Sequence, residues 1–254
     1  MAPGKLSRRL LLLSGLASAA AAITYLTSIK LAKYEQEPKT SRSEVRRLKL
    51  PPPSHKSSVS VEEALTLRRS IREYEAKPLT LKQVSQILWA AQGITLPEYG
   101  FRTAPSAGAT YPLEVYLVVK RNGVRDLEPG VYHYLPHSHE LELTRTGDYS
   151  KELMKAALDQ EWVGAAAVNL VINAVYERTT KHYGDRGVRY VYMEVGHVGE
   201  NVYLQCVSLG LGCVVIGAFY DEEVKRIIGG IGEPLYVIPI GVKRGGWGVG
   251  AESL

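Results

Sequence analysis

Cysteine and phenylalanine are the scarcest informative residues in this 254-residue chain, with two of each. Cys206 and Cys213, seven positions apart, cannot make a disulfide framework, and their spacing fits neither a zinc site nor a redox C-x-x-C. Buried free thiols are therefore expected. Phosphate-binding signatures are missing too. No G-x-G-x-x-G follows a strand, and there is no Walker lysine loop and no G-x-S-x-G elbow. These absences argue against a Rossmann dinucleotide site, a P-loop NTPase and a serine hydrolase. The body also lacks a basic excess. Residues 1–60 carry a formal charge of +8 and residues 61–254 about −3, so the overall +5 comes from the N-terminus. Nucleic acid is not an expected partner. His133, His137 and His139 have no cysteine or acidic cluster beside them and read as hairpin histidines, with no metal expected.

What is present begins with a leader. Residues 1–30 run from a basic start into twenty uncharged residues, Leu10 to Ile29, about 30 Å if helical and enough to cross a hydrocarbon core. The opening "SRRLLLL" resembles a twin-arginine export signal, and the alanines that follow offer a cleavage site. A cleaved signal, an uncleaved membrane anchor and an apolar helix packed on the domain all remain open. The expected location is outside the cytoplasm, either anchored to the outer face of the membrane or released. Residues 31–59, with mixed charge and "PPPSHKSS", read as a linker.

The body, 60–254, reads as one domain. Ser60 with Glu63 and Thr80 with Gln83 are capping boxes that predict helices from Val61 and Leu81. "LEVYLVV" predicts a strand, "GVYHY" and "LELT" a hairpin around "PHSHE", and "AVNLVINAVY" a further strand. A helix is expected near 149–159. A long one over 188–209 is apolar around much of its circumference and needs burial on more than one side, which a dimer interface would supply. On it, His197 reads as a hydrogen-bonded core residue. Strand "CVVIGAF", helix "DEEVKRII" and strand "PLYVIPIGV" complete an α+β pattern, a mixed sheet with flanking helices.

Three segments carry possible chemistry. "LRRSIREY" crowds Arg68, Arg69 and Arg72 around Ser70; it is either a solvated helix face or an anion pocket. "RTAPSAGATYP", Arg102 to Pro112, is a loop of small residues whose backbone N–H groups can approach a ligand closely, or an ordinary loop. "KHYGDRG" offers Lys181, His182, Tyr183, Asp185 and Arg186 for acid–base work, or is a solvated loop before a helix.

Taken in order, "LRRSIREY", "RTAPSAGATYPLEVYLVV", "KHYGDRGVRYVYMEVGHVGENVYLQCVSLGLG" and "VVIGAF…PLYVIPIG" resemble the nitroreductase superfamily, nearest its SagB/ThcOx-type dehydrogenase branch, over about 61–242. The resemblance implies an intertwined homodimer with a long central interface helix and FMN at the interface. Arg68, Arg69, Ser70 and Arg72 are then expected to hold the FMN phosphate and ribityl chain. Pro105, Ser106 and Ala107 of the partner subunit would line the ring. Backbone N–H groups of Gly217 and Ala218 would face its N5 and O4 edge, and Lys243 or Arg244 would add a phosphate contact. The implied activity is FMN-dependent hydride transfer through flavin N5 in a ping-pong cycle, on a small-molecule or peptide substrate. An NAD(P)H-dependent nitro or quinone reductase and a non-catalytic, membrane-associated flavin-binding protein are the alternatives. In the branch that oxidises azolines in peptides, an adjacent Lys-Tyr pair removes protons. Here Tyr183 precedes Gly184 as in that pattern, but His182 replaces the lysine and Lys181 lies one position earlier.

Overall fold

The computed structural model describes residues 46–245. The leader, 1–30, and the first half of the expected linker lie outside the described residues. Among the described residues no helix is long and apolar enough to cross a membrane.

A large antiparallel sheet forms the centre. Its strands run β1 (Arg47–Lys49), β7 (Glu140–Thr146), β6 (Gly130–Leu135), β5 (Leu113–Val119), β8 (Val168–Ala174), β10 (Glu233–Lys243) and β2 (Tyr74–Glu75), and β9 (Leu211–Cys213) also pairs with β10. A separate ribbon joins β3 (Ile94–Leu96) to β4 (Phe101–Arg102). The middle pair, β5 and β8, is in register from Leu113 against Ala174 to Val119 against Val168.

Strand alternation divides the core into two layers. Leu113, Val115, Leu117 and Val119 face one cluster, made with helices α2 (Leu81–Gln92) and α6 (Arg186–Ser208). Tyr116 and Val118 face the other, made with α3 (Ser150–Ala156), α4 (Glu161–Ala165) and α7 (Asp221–Ile228). Helices on both faces of the sheet give the expected α+β fold. β8 is buried along its whole length, and its two asparagines are accommodated because Asn169 and Asn173 donate their amides to the carbonyls of Val163 and Ile231.

Both predicted helix starts are present. α1 (Val61–Leu67) begins where Ser60 accepts from the Glu63 N–H, and α2 begins with a full reciprocal box between Thr80 and Gln83. Cys206 and Cys213 are buried free thiols.

Three expectations are corrected. Part of the linker, 31–59, is built into the sheet: Arg47–Lys49 pairs with β7, and Leu50 is buried. The strand signal was short, but Arg47 pairs with Glu142 and Leu48 packs on the core. "CVVIGAF" is a strand only to Cys213. Beyond it the Val215 N–H donates to the Tyr203 hydroxyl, and only Ile216 bridges to Val237. His197 is exposed, not in the core. Val191, Val195, Val198, Val202 and Cys206 turn one stripe of α6 inward, while Tyr192, Met193, Gly196, His197 and Glu200 form an outer stripe that this chain leaves open.

Candidate functional site

The structure gathers the predicted residues at two places along α6. The first is near its C-terminal half. Arg68 ends α1, with its guanidinium over the Tyr203 ring at 5.1 Å. Ser70 Oγ lies 2.9 Å from the Tyr203 hydroxyl, which also accepts from Val215 N–H at 2.9 Å. One tyrosine therefore ties the arginine-rich turn to the segment that leads to Gly217. The Arg72 guanidinium stands 5.4 Å from the Trp162 ring on α4, and the preceding Gln160 donates to the carbonyl of Ala218. Lys243 lies opposite Tyr74 in the β2–β10 pairing, and the Arg244 N–H donates to Glu73 O. Arg68, Arg69, Ser70, Arg72, Gly217, Ala218 and Lys243 thus come from three separate segments to one end of the sheet.

The electrostatics of this end are unbalanced. Among the described residues no carboxylate pairs with Arg68, Arg69 or Arg72. Arg69 instead donates to the carbonyls of Thr66 and Arg68, closing the end of α1. Gly217 and Ala218 are exposed, their N–H groups make no hydrogen bond to the described residues, and a Cβ added at Gly217 would meet nothing within 4 Å. Unpaired guanidiniums, a hydroxyl and free backbone donors beside open space are the donor set of a phosphate-bearing ligand. They fit FMN.

The second place is the loop after β4. Pro105, Ser106 and Ala107 lead into a single 3-10 turn at Ala107–Ala109. The loop is held in an uncommon conformation, with Ala109 at φ 52° and Tyr111 at φ 44°. Several bonds fix it. Ser106 Oγ accepts from Tyr111 N–H, Thr110 Oγ1 lies 2.8 Å from Thr179 Oγ1, and Arg178 donates to Tyr111 O. Thr179 and Arg178 belong to α5 (Glu177–Tyr183), the short helix that bears Lys181, His182 and Tyr183. Tyr183 reaches over the loop so closely that a Cβ on Gly108 would lie 2.7 Å from its hydroxyl. The two segments that the sequence leaves separate, "RTAPSAGATYP" and "KHYG", are one unit.

Charge is satisfied behind this loop. Arg178 pairs with Glu114 Oε1 at 2.5 Å, and His133 Nε2 lies 2.6 Å from Glu114 Oε2. Burial pushes the Glu114 carboxyl up, but the His133 hydrogen bond and the Arg178 charge outweigh it and hold it below its ordinary value. His139 is engaged with Ser85, Tyr134 and Pro51 O. On α6, Glu194 is 2% exposed. Burial pushes its carboxyl up to about 7, although Ser106, Arg102 and Gln92 nearby favour the ionised form.

Sequence reasoning missed Tyr203, Trp162, Glu194 and Arg178. Tyr203 and Glu194 sit within a helix that reads as core, and the others gain meaning only from partners far along the chain.

The model of the nitroreductase family matches residues 65–242. The chain is 51% identical to the nitroreductase-family protein MJ1384 of Methanocaldococcus jannaschii, over 73% of this chain and 92% of that protein. It is 30% identical to the microcin B17-processing protein McbC of Escherichia coli, over 58% of this chain and 56% of McbC, so it spans little more than half of that relative. Among solved structures, a nitroreductase-like protein of Ralstonia eutropha superposes with a TM-score of 0.68 at 32% identity, covering 79% of this chain and 90% of that one. The Escherichia coli microcin synthetase McbBCD complex, solved with truncated pro-MccB17 bound, superposes with a TM-score of 0.61 at 26% identity, covering 77% and 78%. With most of its body matched in sequence and in fold, the chain belongs to the nitroreductase family.

Proposed function

We propose that this chain is an FMN-dependent oxidoreductase that acts as a homodimer. The observation that carries the reading is the end of the sheet where Arg68 and Arg72, without carboxylate partners among the described residues, lie with Ser70 and the N–H groups of Gly217 and Ala218, which make no hydrogen bond to the described residues. Arg68, Ser70, Arg72 and Lys243 would hold the phosphate and ribityl chain, and Gly217 and Ala218 would face the ring's polar edge. FMN, when bound, supplies a two-electron hydride acceptor and donor. The chain's own part is to bind, to orient and to move protons.

Dimer formation is supported by the separation of the two half-sites. The arginine turn contacts Tyr203, whereas the Pro105–Ala107 loop lies by Glu194, nine residues earlier on the same helix, about 14 Å of rise. A second copy packed on the outer stripe of α6, where Tyr192 and Met193 are each more than half exposed, would bring its loop to the first copy's arginines.

For the proton step the helix geometry favours His182 over Lys181. Thr179 faces the loop, and on a helix residues three and four positions later share its face. Those residues are His182 and Tyr183. Lys181, two positions later, is turned about 200° away. Imidazole is the side chain most often used as a general base. McbC processes microcin B17 and the McbBCD structure holds a precursor peptide; by that likeness the substrate is read as a peptide or peptide-like small molecule, with His182 in place of the lysine.

Purified protein tests the reading directly. A yellow FMN spectrum, or FMN binding on reconstitution, is expected, with bound flavin reduced in stopped flow by its true donor. A colourless chain that binds no FMN sinks the proposal. FMN that binds but is reduced by neither substrates nor NAD(P)H would make the protein a flavin binder only.

A further inference from the structure

Three of the buried side-chain polar atoms left without a hydrogen bond among the described residues belong to one cluster: Gln92 Nε2, Arg102 Nε and Glu194 Oε1. An orphaned buried donor or acceptor costs about 1–3 kcal/mol, and three of the six such atoms among the described residues fall in this one cluster. The cluster is not disordered packing. Arg102 Nη1 donates to Gln92 Oε1 at 2.8 Å, and its guanidinium stacks 4.5 Å from the Tyr111 ring. The next residue outward is Ser106, on the loop assigned above to the flavin ring.

We propose that Glu194 is a proton-holding, positioning residue of the site, exchanging a proton with the Ser106 hydroxyl. This rests on the reading of the site as an FMN centre. When a proton is released at the site, Ser106 Oγ accepts it as its own O–H proton passes to the Glu194 carboxylate. One O–H bond breaks as another forms on each side of the serine, no electrons move, and the reverse transfer returns the proton in the other half-reaction. The outer base on α5 and this inner store then serve the two sides of the loop.

The groups facing Glu194 are few. Arg102, from β4, is the charge acting on it, and Arg102 is itself bracketed by Glu114 from β5, Arg178 from α5 and Tyr111. On α6, Tyr190 and the exposed His197 lie one turn either side. Burial raises the carboxyl towards neutrality, where a store must titrate.

Carbon-13 NMR of labelled glutamates in the full chain, without cofactor, is the first test. One carboxyl is expected to titrate well above the others, to vanish in Glu194→Gln, and to move further upward in Ser106→Ala, which removes a donor to the ionised form. If every glutamate titrates in the ordinary range, or if Ser106→Ala leaves the high midpoint in place, the proposal is overturned. Glu194→Gln keeps the shape of the neutral acid, so it is expected to fold. In the FMN-loaded protein, proton uptake on photoreduction is expected to depend on pH near neutrality in the wild type and to lose that dependence in Glu194→Gln, with FMN affinity unchanged. Identical uptake in both would also overturn it. A chain that binds no FMN would refute the reading of the site, while the cofactor-free titration still decides the carboxyl.

Discussion

The two ends of the candidate site are built on opposite principles. At the arginine turn, charge is left unpaired and backbone donors are left free. Arg68 and Arg72 lean on the rings of Tyr203 and Trp162, and no carboxylate among the described residues neutralises them. At the loop and α5, the backbone is tied down by Ser106, Arg178 and the Thr110–Thr179 contact, with two residues in the left-handed region and a glycine under a tyrosine. If the arginine end binds phosphate, as proposed, it can stay electrostatically unfinished because its ligand would complete it. The loop end, if it faces the ring and handles protons, must be rigid before the ligand arrives, since misplacement there costs rate. The comparison makes a ranked set of predictions about stability: changes at the loop end should unfold the protein, and changes at the arginine end should not.

The largest effect is expected from Arg178→Met. It leaves Glu114, whose side chain is only 12% exposed, with His133 as its remaining partner, and it removes the bond to Tyr111 O. Losing one partner of a buried pair costs about 3 kcal/mol, read as a lower urea midpoint. A loss under about 1 kcal/mol would mean that His133 and water suffice to hold the carboxylate.

Next come the two carboxylates of that end, which pull stability in opposite directions with pH. Glu194 is raised from 4.5 to about 7 in the folded chain. The native state then holds a proton that the unfolded state has lost, so stability falls as pH climbs between those values. Glu194→Gln should abolish that fall, leaving the variant about 2 kcal/mol more stable relative to wild type at alkaline pH than in mild acid. Glu114 is depressed. Its contribution is present above the ordinary carboxylate pKa and disappears as pH falls through its folded value. A Glu194→Gln difference that is flat with pH would show the carboxyl to be ionised throughout.

A pair of glycines gives a smaller and cleaner contrast. Gly108 has φ 60° and no room beneath Tyr183, so Gly108→Ala should cost about 1–2 kcal/mol. Gly217 faces open space, and Gly217→Ala should stay within about 0.5 kcal/mol while weakening FMN binding. Equal melting shifts in the two variants would erase the distinction between the ends.

Much of the frame was legible because it is local. Capping boxes fixed the starts of α1 and α2, and alternation marked β5, β6 and β7, since both signals sit within a few residues of one another. What escaped depends on contacts distant in the chain. The Glu194 cluster draws on positions 92, 102, 106 and 194, and nothing in the spacing of those residues brings them together. Tyr203 reads as one more bulky residue of an apolar helix until Ser70 and Val215 are found on its hydroxyl. β1 escaped for another reason. Three residues flanked by a mixed-charge run and three prolines have no periodicity to detect, and only the open edge of β7 makes them a strand. His197 was misplaced because a helix apolar on most sides was read as buried on all of them.

The smallest effect on stability is expected where the sequence first drew attention. Arg68→Ala and Arg72→Ala each remove a cation from an aromatic face, an exchange worth about 0.5–1 kcal/mol at exposed sites. Each also removes one charge from a cluster that repels itself in the absence of a ligand. The two terms oppose, so thermal midpoints without FMN should shift little, by the equivalent of about 0.5 kcal/mol or less. With FMN the sign of the balance changes. A guanidinium that pairs with phosphate contributes about 1.5–3 kcal/mol as a charge-assisted bond, so each variant should bind FMN roughly ten- to a hundredfold more weakly by fluorescence titration. Arg69→Ala is the internal control. Its guanidinium is committed to the Thr66 and Arg68 carbonyls, so it should loosen the end of α1 and reduce affinity less. If Arg68→Ala and Arg72→Ala melt early in the absence of FMN, the arginine end is structural after all, and the contrast between the two ends fails on that side.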